Sequence, residues 1–254
     1  MSTPGILEAY RDRLRSLAVE HELNDAAVSV VVKPLTPEEA IGNPDRRDFP
    51  ILEGKERVIE ATVLGSRGQA FTDAPSDFGG CFRDVLELPL STNQHRAVFL
   101  AATNAALAHI GLVEGTLHCK DDAPEKCAFE MAMTARITDA QTVGLIGFNP
   151  AIAHALTREF GTEAVRITDL NPQNVGTRKF GVTIWDARTQ TAALIKTRDL
   201  ILVTGTTLVN GTFDEILNLA RAAHKRLVVY GITAAGVCRL MNIERWCSQA
   251  QAGS

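Results

Sequence analysis

The chain of 254 residues is 45% hydrophobic and 22% charged, with a formal net charge of −4. That balance belongs to a globular protein of one large domain or two modest ones and excludes a disordered or fibrous chain. A pI near 5.9 without a basic cluster argues against a nucleic-acid or membrane-surface partner. Residues 1–23 read as an amphipathic helix, with Ile6, Leu7, Tyr10, Leu14, Leu17 and Ala18 on one face. They carry no apolar core of signal-peptide type, and no apolar run approaches membrane-spanning length, so a cytoplasmic protein is expected. A β-branched run begins at Ala26 and stops near Pro34. Pro34, Pro37, Gly42, Pro44 and Pro50 then punctuate a loop. The stretch ERVIEATVLGSRGQAFTD predicts a hairpin turning at Gly65-Ser66, with a return strand from Gln69 to Thr72. After the connecting DAPSDFGG, apolar spacing predicts a helix from Asn93 to Ile110, ended by Gly111.

The next stretch, HCKDDAPEKCA (residues 118–128), concentrates two cysteines, a histidine, three acids and two lysines around a helix start. Asp122 is placed to be the N-cap, Pro124 fits the first turn and Glu125 the reciprocal capping position. Cys127 falls in the second turn, and a thiol near a helix N-terminus is biased toward thiolate. His118, Cys119 and Cys127 are therefore candidate ligands for a transition metal, zinc or softer. The spacing is not that of a structural zinc site. If the approach is extended, His118 and Cys119 point to opposite faces. A reactive thiol and a buried structural cysteine are the alternatives. Cys81 is a further candidate ligand, whereas Cys238 and Cys247 read as helix and tail cysteines. Five cysteines at irregular spacing argue against a disulfide framework.

From about Thr138 the rhythm changes to alternating strands and helices, which implies a parallel sheet covered on both faces. The expected boundary lies between Met131 and Ala140, giving an α+β unit over residues 1–135 and an α/β unit over 136–254. Ligands in such sheets sit beyond the carboxyl ends of the strands. Those ends carry Gly144, Gly147 and Asn149, then Asp169 and Asn171, then Thr204, Gly205, Thr206, Thr207 and Asn210. Asp169 stands where a dinucleotide-binding fold places its ribose acid. The stretch GLIGFNPA nevertheless lacks the third glycine of that fingerprint, and Thr212 is also a candidate cap for the helix beginning at Phe213.

Taken together, GKERVIEATVLGSRGQAFTD, HRAVFLAATNAALAHIGL, HCKDDAPEKCA, TGTTLVNGT and YGITAAGV resemble the DUF364 family of heavy-metal chelation proteins with its companion N-terminal DUF4213 domain. The resemblance implies a small domain like the capping domain of enolases, followed by a Rossmann-like domain, with a site where the two meet. The matching residues are the His118–Cys119–Cys127 segment and the Thr204–Thr212 loop. The leading expectation is therefore a protein that binds a metal, or a small metal-chelating molecule, in an interdomain cleft. The alternative is an enzyme using NAD or S-adenosylmethionine, with Lys120 or Asp121 as acid/base and Cys127 as nucleophile. A third reading is a non-catalytic module whose cysteines are structural. Oligomeric state is left open, a homodimer included.

Overall fold

The computed structural model describes residues 5–31, 38, 42–49, 51 and 56–254. Helix α1 (Ile6–Glu20) buries Leu7, Tyr10, Leu14 and Ala18, the stripe expected from its spacing. Strands β1 (Ala27–Val31), β2 (Arg57–Val63), β3 (Ser66–Thr72) and β4 (Phe78–Cys81) form an antiparallel sheet in the order β3-β2-β1-β4. Pro34, Pro37 and Pro50 of the expected loop lie outside the described residues. The hairpin turns at Leu64-Gly65, one residue earlier than expected, with φ of 48° and 86°. Two central residues at positive φ match the twist of the flanking strands. Strand β4 was not expected. Its FGGC sequence has none of the β-branched residues that signal a strand, yet it pairs with β1 over four residues.

A short helix α2 (Phe82–Leu86) leads to α3 (Asn93–His109), whose residues 97–108 are all buried. A helix buried all round needs small side chains where neighbours approach closely. Here alanines meet Gly68 of β3, where an added Cβ would press on the backbone of Ala101 and Ala105. Gly68→Val is expected to cost about 3 kcal/mol, the upper end for overpacking. A melting curve checks this. A variant as stable as wild type would show that β3 and α3 can separate without loss.

The rest of the chain comprises α4 (Ala123–Ile137), β5 (Val143–Ile146), α5 (Pro150–Phe160), β6 (Val165–Asp169), β7 (Arg178–Lys179), β8 (Val182–Asp186), α6 (Ala187–Thr197), β9 (Leu200–Thr204), α7 (Thr206–Asn210), α8 (Phe213–Ala222), β10 (Arg226–Tyr230), α9 (Ala235–Leu240) and β11 (Arg245–Trp246). The seven strands order as β11-β10-β9-β5-β6-β8-β7, parallel except for the β7–β8 pair. Counting only the parallel strands, this is the doubly wound order 3-2-1-4-5-6, whose reversal falls between β5 and β9. Helices α4 and α5 pack on one face of this sheet. Helices α6 and α8 cover the other, in an apolar core that continues through α3 into the antiparallel sheet.

Two devices fix the halves together. Buried Asn104 of α3 donates to the carbonyls of Gln69, Ile232 and Thr233 and accepts from the Gly236 amide. Beyond β11 the chain returns to the first half, where Gln251 pairs with Leu117 and the Arg67 amide donates to the Gly253 carbonyl. Among the described residues no helix is long and apolar enough to cross a membrane.

Candidate functional site

Cys119 and Cys127, close in sequence, are joined by the distant Cys247 where the returning tail crosses the start of α4. Cys119 is buried behind, Cys127 lies in the second turn of α4, and Cys247 follows β11. The influence of the Cys247 thiol first, then of the Gln249 backbone amide and of the Ser248 hydroxyl and amide, lowers the Cys127 thiol to about 6 against the opposing effect of burial. The Ser248 hydroxyl lies 3.9 Å from Cys127 Sγ. It also donates to Glu130, which accepts from Gln249 Nε2 at 3.1 Å. Cys247 moves the other way: the influence of Cys127 first, then burial, raises its thiol well above the ordinary value. Burial pushes Cys119 up to about 12, assisted by the neighbouring Cys127 charge. The Cys127 thiol is thus lowered while the Cys247 and Cys119 thiols are raised, each partly through the others.

His118 sits differently. It is half-buried, its ring meets Phe71 edge-on at 5.1 Å, and its amide donates to Gln69 Oε1 at 2.8 Å. Leu117 is bridged to the tail. Cys119 joins the thiols, and His118 packs on β3. Among the described residues no group of three or more His, Cys, Asp or Glu side chains is placed to hold a metal ion. His118, Cys119 and Cys127 are therefore not assembled as one ready-made site. Cys81 lies elsewhere, its thiol 3.2 Å from Asp84.

The acids of the same stretch have another task. Asp122 occupies the N-cap position in αR geometry and makes no side-chain cap bond, so the expected capping box does not form. Glu125 instead pairs with Arg46. Arg46 also meets Asp48 at 3.2 Å and His154 Nδ1 at 3.0 Å, with its guanidinium over the Phe180 ring. Asp121 accepts the Asn43 amide at 2.9 Å. These contacts pin residues 42–49 across α4 and α5, beside an open surface cavity of about 570 Å³. Asp121, offered above as an acid/base candidate, anchors this strap.

At the switch point the polar groups named from the sequence are largely engaged with one another. The Phe148 amide donates to Asp169 Oδ2 at 2.6 Å, and Asn171 N and Asn174 Nδ2 donate to Oδ1. Asn149 caps α5 by accepting from Ile152 N. Pro150 has no N–H to offer. Gly147, at φ 88°, turns the chain tightly against the Thr204 side chain, and its carbonyl accepts from Tyr230. The Phe148 and Ile152 amides are thus already bonded, and the Asp169 carboxylate lies beside them. Thr204 bonds Thr206, Thr207 donates to the Thr204 carbonyl, and Asn210 accepts from Thr212. Thr212 makes no cap bond to α8. Gly205 packs against Ala234. Lys120 is exposed.

One carboxyl group at this edge is out of its ordinary range. Burial, then the neighbouring Asp169 and Asp73, raise Glu56 to about 7. A carboxyl raised in the folded state leaves stability intact below its unfolded value and reduces it as pH rises through 7. Glu56→Gln is therefore expected to leave stability unchanged near pH 4. At pH 8 it should stabilise by about 1–2 kcal/mol, discounted for the side chain's residual contact with water. Denaturant melts at the two pH values check the sign, and equal stabilities at pH 8 would contradict it.

Residues 130–241 match the family model DUF364, described as "Putative heavy-metal chelation". A DUF364-family protein of unknown function from Pyrococcus horikoshii is similar in structure, with a TM-score of 0.56, 17% identity, and coverage of 90% of this chain and 79% of that one. Another of unknown function, from Desulfitobacterium hafniense, gives a TM-score of 0.50 and 14% identity over 73% of this chain and 72% of that one. At such identities the likeness speaks for the fold. No curated protein matches the chain. The companion N-terminal DUF4213 assignment rests on the sequence resemblance alone.

Proposed function

We propose that the protein binds a thiophilic metal ion through Cys127 and Cys247, with Cys119 in reserve behind them, beside the junction of the units taken as residues 1–135 and 136–254. The observation that carries this reading is that the tail after β11 reaches Cys127, the Ser248 hydroxyl standing 3.9 Å from its Sγ, and that the Cys127, Cys247 and Cys119 thiols shift one another. Sulfur donors select soft ions. Monovalent copper is satisfied by two thiolates, whereas structural zinc takes four ligands. The donor set therefore fits a two-coordinate soft ion and does not fit zinc held by His118, Cys119 and Cys127. The description of the matching family, heavy-metal chelation, is of the same kind. A nucleotide-type cofactor is not carried forward, because the Phe148 and Ile152 amides beside the start of α5 are already bonded.

Titration with copper(I) against a chromophoric chelator under reducing conditions tests the reading. Wild type should bind copper in preference to zinc. Cys127→Ala and Cys247→Ala should each weaken binding at least about tenfold, or roughly 1.4 kcal/mol. His118→Ala should bind as wild type. Retention of copper by the double cysteine variant, or loss on His118→Ala, would overturn it.

A further inference from the structure

The outer edge of the parallel sheet carries a second polar cavity, of about 290 Å³. Register alone brings four of its side chains to one face. Arg166 of β6 pairs with Gly144, where an added Cβ would meet Leu194 of α6, so Arg166 points to the α6 face. Trp185 of β8 pairs with Thr168, two residues along β6, and shares that face. Thr183 lies two residues before Trp185, and Arg178 of β7 pairs with Thr183 across the antiparallel turn. Thr162 and Glu163, between α5 and β6, complete the wall. Helix α4, with Cys127, packs on the opposite face of the sheet.

The half-buried Arg166 guanidinium stands over the Trp185 ring at 5.8 Å and donates to the Val165 carbonyl at 3.0 Å. Arg178 donates through Nε to the Gly181 carbonyl at 3.1 Å, and its two Nη atoms have no protein partner among the described residues. Among the same residues neither arginine is ion-paired, although Glu163 lines the cavity with them. We propose that this cavity binds a small phosphate dianion, free or as the monoester of a short carbon chain. Two guanidinium groups without a counter-ion match a charge of about −2, which a phosphate group carries near neutral pH. Their planar forks suit phosphate oxygens, and a monocarboxylate would leave one arginine unmatched. The Thr162 and Thr183 hydroxyls supply further donors, and Glu163 offers an acceptor to a hydroxyl group of the chain. At about 30 Å³ per water-sized group the cavity has room for roughly ten, enough for a phosphate on a short chain and too few for a dinucleotide.

Calorimetric titration of the full chain at constant ionic strength tests the site, with inorganic phosphate, glycerol phosphate, succinate and chloride as probes. Phosphate and glycerol phosphate should bind saturably. Both should change the emission of Trp185 in a Trp246→Phe background, where it is the sole indole. Arg166→Gln and Arg178→Gln should each weaken binding at least about tenfold. Arg178 is exposed, so its variant should melt as wild type and keeps the test open if Arg166→Gln fails to fold. Lys179→Gln, whose side chain alternates to the other face, and Cys127→Ala should bind phosphate as wild type. Tighter binding of glycerol phosphate assigns the ester as occupant, and tighter binding of inorganic phosphate assigns the free ion. Absence of saturable binding, an equal response to chloride, succinate binding tighter than phosphate, or phosphate binding unchanged in Arg178→Gln would overturn the site.

Discussion

Replacing Asn104 by alanine is expected to lower the thermal midpoint by roughly 6–12 °C, taking about 3 kcal/mol at 2–4 °C per kcal/mol. The side chain is fully buried and makes four hydrogen bonds, three as donor and one as acceptor. Its partners are backbone groups of β3, of the segment between β10 and α9, and of α9 itself, so one residue satisfies both halves of the molecule. Alanine would leave those carbonyls and the Gly236 amide without a partner in a region too tightly packed to admit water freely. Unmade buried bonds cost more than made ones gain, which is why the effect exceeds that of an average hydrogen bond. Calorimetry checks the result, and a shift below about 2 °C would mean the halves are held by apolar contact alone.

Alkylation of Cys127 is expected to follow a titration with its midpoint near 6, far below an ordinary thiol. The first cause is the Cys247 thiol, so Cys247→Ala should move the midpoint upward by more than Ser248→Ala does. The consequence for stability has a definite sign. A thiol lowered by folding contributes stability that is present above its unfolded value and lost as pH falls through 6. Cys127→Ala should therefore lose more stability relative to wild type at pH 8 than at pH 5.5. Labelling with iodoacetamide, read by mass spectrometry of the α4 peptide, gives the midpoint directly. A midpoint near 8.5 unaffected by Cys247 would remove the electrostatic basis of the site.

The sequence carried much of the second half and less of the first. Continuous apolar runs such as Val143–Ile146 and Leu200–Thr204 mark buried strands, and alternation with helices implied that they are parallel. Strand β4 was hidden because two glycines supply no pattern; its pairing with β1 is a tertiary choice. At the site, Cys119 and Cys127 were legible because they crowd one helix start. Cys247 was not, because it reaches Cys127 only through the path of the tail after β11, which no local spacing encodes. Asp122 and Glu125 had the right types for a capping box. Glu125 turned to Arg46 instead, a contact made from another segment. Asp169 likewise stood at the right distance from the glycines. Its carboxylate nevertheless holds the Phe148 amide, and sequence distance cannot tell a ligand-binding acid from one that braces a loop.

The most direct test of the thiol site is X-ray absorption at the copper edge on the protein loaded with one equivalent of copper(I). A first shell made only of sulfur, and lost on the double change Cys127→Ala with Cys247→Ala, is the expected result. A first shell containing nitrogen or oxygen, or one unchanged in that variant, would contradict binding at these thiols.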